Sequence, residues 1–184
     1  MRLNEHGKLK GQHSFLSASN YHWLNYDEEK LVNTFRRQVA AMQGTKLHEL
    51  AAFMIDMGVK SEGNDTFSQY VNDAIGFRMT PEQVLFYSPN CFGTADAISF
   101  RQTHLRIHDL KTGTSRTSMN QLMIYTALFC HEYHVKPTDI DVTLRIYQND
   151  EITEYEPTYD RILEVMERIV WADKTLTDLK EELR

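Results

Sequence analysis

Two alternating runs, residues 92–100 and 105–111, flank the polar tetrapeptide Arg101-Gln102-Thr103-His104, and this pattern limits the fold more than any other stretch of the chain. Side chains alternate between the two faces of a strand. Thr94, Asp96, Ile98 and Phe100 therefore share one face, and Leu105, Ile107, Asp109 and Lys111 share one face of the next run. Runs of this kind joined by a short polar loop read as an antiparallel hairpin. With residues 101–104 as the loop, Phe100 pairs with Leu105, Ile98 with Ile107, and Asp96 with Asp109. Cross-strand neighbours have Cβ atoms about 4.5–5.5 Å apart, and two carboxylates that close repel unless a cation or a shared proton lies between them. A divalent ion removes the conflict. Lys111, two residues beyond Asp109 on the same face, would bring its ammonium to a water or phosphate bound beside such an ion. Hard oxygen ligands suit Mg²⁺ or Mn²⁺, which generate hydroxide and stabilise charge on a phosphoryl group, so phosphodiester hydrolysis is the chemistry this arrangement serves. Strand-end carboxylates with a lysine as salt-bridge partner would use the same residues, and the hairpin alone leaves both readings open.

The remaining chain places helices on either side of this hairpin. Ser17, Ala18 and Ser19 precede Asn20-Tyr21-His22-Trp23-Leu24, a capped short helix. Residues 28–57 contain no proline, and apolar residues recur at helical spacing, with Gly44 expected to divide the stretch into two helices. A helix is predicted over 68–75, a short strand over 84–87, a strong helix over 119–133, a strand over 141–147 and an amphipathic helix from about 159 to 183. At 184 residues, without internal repeat or linker, the chain reads as one domain spanning residues 1–184. Its class is α/β (α+β), a central mixed sheet flanked by helices.

Composition narrows the function. Hydrophobic residues make 41% and charged residues 25%, as in ordinary soluble proteins. Cys91 and Cys130 are too few for a four-cysteine zinc or iron–sulfur site and form no disulfide framework, which fits a reducing, cytoplasmic setting. No apolar run approaches the roughly 20 residues that cross a bilayer. The formal charge of −6 argues against nucleic-acid binding by bulk electrostatics. Residues 139–184 hold thirteen Asp/Glu against six Lys/Arg, so the acidity is a C-terminal property and leaves the rest of the chain open to a polyanion. His104 and His108 lie about 13 Å apart along one strand, too far to share a zinc ion, and they read as packing or surface residues with Cys130, His131 and His134.

Taken in order, Gly44-Thr-Lys-Leu-His48, Gly93-Thr-Ala-Asp96, Asp109-Leu-Lys111-Thr-Gly113 and Gln121-x-x-x-Tyr125 resemble the RecB-like branch of the PD-(D/E)XK nuclease superfamily, and Ser17-Ala-Ser19 with Trp23 resembles the opening of its phage and prophage members. The resemblance spans residues 17 to 125. It implies a restriction-endonuclease-like core with Asp96, Asp109, His48 and the Leu110 backbone carbonyl as metal ligands. Lys111 would orient the attacking water, and Gln121 and Tyr125, on one helical face, would hold the lysine, the phosphate or the DNA backbone. An imidazole ligand shifts preference from Mg²⁺ toward Mn²⁺. Ala95 replaces the proline that names the superfamily, and Asp109 stands where glutamate is more frequent. Lys46, Arg116, Ser115 and Ser118 lie beside these motifs and are expected to contact DNA phosphates.

The resulting expectation is a Mg²⁺/Mn²⁺-dependent deoxyribonuclease, an exonuclease of phage or prophage type that acts in recombination or DNA processing. Its products would carry a 5′-phosphate and a 3′-hydroxyl. It would work in the cytoplasm of a bacterial host, without an iron–sulfur cluster or a motor of its own, with DNA as partner and with a homo-oligomer or a recombination protein as further partners. The alternatives are a site-specific endonuclease of defence or restriction and a DNA-binding module without activity.

Overall fold

The computed structural model describes residues 7–115 and 117–183. The chain divides into two compact units, Met1–Gln43 and Gly44–Arg184. The first contains two short 3₁₀ helices, Gly7–Leu9 and Tyr21–Asn25, and the beginning of helix α1 (Glu28–Met57). The Ser17 hydroxyl accepts the Asn20 N–H at 3.3 Å, and the Trp23 indole donates to the Ser17 carbonyl at 3.0 Å. Phe15 meets Phe35 edge to face, with ring centroids 5.1 Å apart.

Helix α1 is unbroken, which corrects the division expected at Gly44. A helix tolerates one glycine at a cost of about 1 kcal/mol relative to alanine. Here the missing side chain permits a close approach, because a Cβ at Gly44 would lie 2.7 Å from Thr112 Oγ1.

In the second unit, helix α2 (Thr66–Gly76) precedes the strands β1 (Thr80–Ser88), β2 (Cys91–Arg101) and β3 (His104–Leu110). Helix α3 (Asn120–Glu132), strands β4 (Asp141–Gln148) and β5 (Glu151–Tyr155), and helix α4 (Tyr159–Glu182) follow. The strands form one mixed sheet in the order β1-β2-β3-β4-β5. Only the β3–β4 pair is parallel, and α3 supplies the crossover that a parallel pair requires.

The β2–β3 register matches the alternation where Phe100 faces Leu105 and Ile98 faces Ile107, but the ladder ends at Ala97–His108, so the expected Asp96–Asp109 pair is not part of it. The connection is tighter than the expected four residues: Arg101 already pairs with His104, and Gln102 takes a left-handed φ of 54° in the two-residue turn. Strand β5 went unpredicted. Asn149 and Asp150 precede it with φ of 53° and 59°, as a type I′ hairpin turn requires at both central positions.

Helices cover both faces of the sheet. Leu122, Ala127 and Leu128 of α3 and Ile162 and Ile169 of α4 pack with Leu85, Ile98, Leu105, Ile107 and Leu144 in one apolar cluster. Ala51 and Ile55 of α1 and Tyr70, Val71 and Ala74 of α2 pack with Ala97, Leu110 and Tyr147 in a second cluster. No helix among the described residues is long and apolar enough to cross a membrane.

Candidate metal centre

Gly44, His48, Ala51 and Ile55 follow one another at intervals of four, three and four residues, so they share the face of α1 turned to the sheet. Gly44, Ala51 and Ile55 are buried. His48, at the margin of that face, lies with its Nδ1 3.3 Å from Asp96 Oδ2 on β2. The bond to Asp96 raises the His48 pKa first of all; burial opposes the shift, and the charges of Asp96, Asp109 and Glu82 add to it.

Asp96 stands where the β2–β3 ladder gives way. The backbone pairs run from Arg101–His104 to Ala97–His108, and one step further the Leu110 N–H donates to Asp96 Oδ2 at 2.9 Å. The carboxylate thus takes a donor that would otherwise serve the ladder. Leu110 itself is buried.

Glu82 completes a group that the sequence reading missed. One ligand atom each from His48, Glu82 and Asp96 lies within 4.8 Å of the others, the only such group among the described residues. On β1, Pro81 pairs with Ala97 and Gln83 with Ala95, which sets Glu82 opposite Asp96. Its φ of 49° is left-handed, an uncommon and costly conformation for a glutamate. Burial and the Asp96 charge raise its pKa, while His48 opposes that shift. The strand expected from the sequence begins only at Val84, two residues after Glu82, whereas β1 starts at Thr80.

Asp109 stands outside that close group and has its own partner. Its side chain is 2% exposed, and Lys111 Nζ lies 2.9 Å from both carboxylate oxygens. Only Oδ1 receives a directed hydrogen bond; Oδ2 is buried without one. Burial raises the Asp109 pKa most, repulsion from Asp96 adds to it, and Lys111 and His48 oppose it. Lys111 also donates to Gln121 Oε1 at 2.8 Å, and Gln121 Nε2 donates to the Tyr125 hydroxyl at 3.1 Å. The Tyr125 ring in turn packs on Gly93 of β2, where a Cβ would come within 2.9 Å of Cε1.

The structure therefore brings His48, Asp96, Asp109, Lys111, Gln121 and Tyr125 into one region. The loop after Lys111 is pinned by Gln148, whose Nε2 donates to the carbonyls of Gly113 and Ser115. The Ser118 hydroxyl accepts the Asn120 N–H at 3.2 Å, at the start of α3. Lys46, Ser115 and Ser118 are exposed, and Arg116 lies outside the described residues. A groove of about 600 Å³ between α3 and α4 contains none of the carboxylates of the site.

The donor set fits a divalent cation. Two carboxylates and an imidazole converge, Asp109 is near enough for Asp96 to repel it, and the Glu82 and Asp109 carboxyls hold protons more readily than usual. Repulsion between clustered carboxylates is what a cation would relieve. Carboxylates with one imidazole suit Mg²⁺, Mn²⁺ or a similar ion.

A family model described as "Protein of unknown function (DUF2800)" matches residues 78–182, more than half of the chain, and the chain belongs to that family. The matched span includes Glu82, Asp96, Asp109, Lys111, Gln121 and Tyr125; His48 lies before it. No curated protein matches the sequence.

Proposed function

We propose that this member of the DUF2800 family is a metal-dependent deoxyribonuclease of the RecB-like PD-(D/E)XK type, hydrolysing phosphodiester bonds to a 5′-phosphate and a 3′-hydroxyl. The observation that carries the reading is the convergence of His48, Glu82 and Asp96 beside the Asp109–Lys111–Gln121–Tyr125 chain of hydrogen bonds. Neither half alone would suffice. Acidic clusters bind cations without catalysis, and a lysine–aspartate pair alone is an ordinary salt bridge.

Asp96, Asp109, Glu82 and His48 would hold the ion, with the Leu110 carbonyl added by the resemblance. When bound, Mg²⁺ or Mn²⁺ supplies Lewis acidity and makes water a competent nucleophile at neutral pH. Lys111 offers the one remaining hydrogen of its ammonium to the attacking water, and its charge offsets the charge that grows on the phosphoryl group. Gln121 fixes the direction of that ammonium, and Tyr125 fixes Gln121. Rotation of the lysine away from Asp109 would break two hydrogen bonds at once, so the chain holds the amine in place before substrate arrives. Lys46, Ser115, Ser118 and Arg116 would contact the DNA backbone. An exonuclease of phage type, acting in recombination or processing in the bacterial cytoplasm, is the biological setting we assign.

Linear and covalently closed circular DNA incubated with Mn²⁺, Mg²⁺ or chelator test the reading. Cutting of linear DNA alone, abolished by chelator and by Asp109→Ala, is the expected result. Cutting of the circle would mark an endonuclease, retained binding without cutting would mark a non-catalytic module, and full activity in Asp109→Ala would refute the site.

A further inference from the structure

The ribbon formed by β1 and β2 carries more than the metal group on its exposed face. Glu82, Val84 and Phe86 recur at every second position of β1, and Phe92, Thr94 and Asp96 do so on β2. The register sets Val84 opposite Thr94 and Phe86 opposite Phe92. The two phenylalanines stack, with ring centroids 6.4 Å apart and planes inclined by 30°, yet they remain 47% and 61% exposed, and Val84 is 50% exposed. On the opposite face of the ribbon Leu85 and Ala95 are fully buried. The aromatic pair thus belongs to neither apolar cluster. It stands four residues along the strands from Glu82 and Asp96, a distance of ~13 Å, about four stacked nucleotides of one strand and fewer of an extended strand.

Resting on the nuclease reading, we propose that Phe86 and Phe92 form a stacking platform for an unpaired base, so that the enzyme takes single-stranded or frayed ends and places a phosphate near the metal group by gripping a base a few nucleotides away. A second protein or a second copy of the chain would also cover an apolar pair. The base is favoured by continuity: the same two strands, on the same face, lead from the rings to the carboxylates. The rings are also of the kind that accepts any base, because stacking does not read sequence, and a nuclease without sequence preference needs that. Glu132 of α3 takes the Phe86 N–H at 2.8 Å, which anchors this edge strand without covering its rings.

The test uses the full chain carrying Asp109→Asn, with Mn²⁺, and single-stranded oligonucleotides bearing 2-aminopurine at successive positions. Fluorescence should be quenched at one or two adjacent positions near an end. Phe86→Ala/Phe92→Ala should abolish the quenching and weaken binding about 5- to 150-fold, the range expected for loss of one stacked base. Phe86→Trp/Phe92→Trp should restore both, and Phe86→Leu/Phe92→Leu should restore neither. Leucines that bind as well as phenylalanines would overturn the proposal. So would a double alanine variant that leaves affinity unchanged and turns an oligomer into a monomer in sedimentation. Metal-dependent cutting by the unmodified chain with no position-specific quenching would overturn the platform alone; absence of both cutting and binding would overturn the nuclease reading and this one with it.

Discussion

Gly44 and Gly93 each sit where a Cβ would displace a residue that shapes the site. In Gly44→Ala the new methyl meets Thr112 Oγ1, one residue from Lys111, and overpacking of this kind costs about 1–3 kcal/mol, partly offset by about 1 kcal/mol of better helix propensity. Gly44→Ala/Thr112→Ala keeps the gain and relieves the clash, since Thr112 Cβ is 3.8 Å from the new atom. Urea denaturation should therefore rank the double variant above the single one. Gly93→Ala presses on the Tyr125 ring, which cannot bend away, and should lower cleavage by Lys111 more than Tyr125→Phe, which removes only the hydroxyl bond to Gln121. Single-turnover rates compare them. At this scale strand and helix periodicities placed Asp109 with Lys111 and Gln121 with Tyr125, while only the family resemblance brought the two pairs together. Glu82 was not, because a left-handed residue beside Pro81 lies outside the alternation that marks a strand.

Among the elements, legibility followed burial. Leu105 and Ile107, with Ile98 opposite, recur at every second position because that face packs on α3 and α4, and this stretch of the β2–β3 register could be read from the sequence. All five residues of β5 are exposed, so no apolar period marks it, and only its Asn-Asp turn could have given it away. The unbroken α1 shows the opposite limit: a glycine in a helical pattern does not say whether it breaks the helix or admits a neighbour. Helix α2 carries a prediction of its own. Asp65 accepts the Ser68 N–H at 2.8 Å as its N-cap, and that bond holds the Asp65 carboxyl below its ordinary 3.8. A depressed carboxyl stabilises the fold above the unfolded-state value and loses that contribution as pH falls through the folded-state value. Asp65→Asn keeps a side-chain acceptor at every pH. The Tm advantage of the natural residue over Asp65→Asn should therefore shrink as pH drops below 3.8, which thermal melts between pH 3 and 7 would show.

On the scale of the whole molecule, the sheet is covered by two separate apolar clusters, and the charged groups lie where α1, β1, β2, β3 and α3 come together. A cation there would bind the folded chain and not the unfolded one, and would stabilise it by about 3 kcal/mol at a hundredfold excess over Kd. Mn²⁺ should raise the Tm in a concentration-dependent way, chelator should reverse the rise, and Glu82→Gln should shift the response to higher Mn²⁺. An equal response in that variant would remove Glu82 from the ligand set. The fold class was legible because its helices and sheet strands have distinct periods. The position of the first strand's acid depended on a backbone irregularity that no pattern announces.

The lysine amine just past the third strand, the amide and phenol of the crossover helix, and the glycine of the second strand form one line of contacts. A slide of that helix along its axis would drag the amine off its aspartate, so whatever pushes on the helix from its outer side acquires a lever on the nucleophile's cradle.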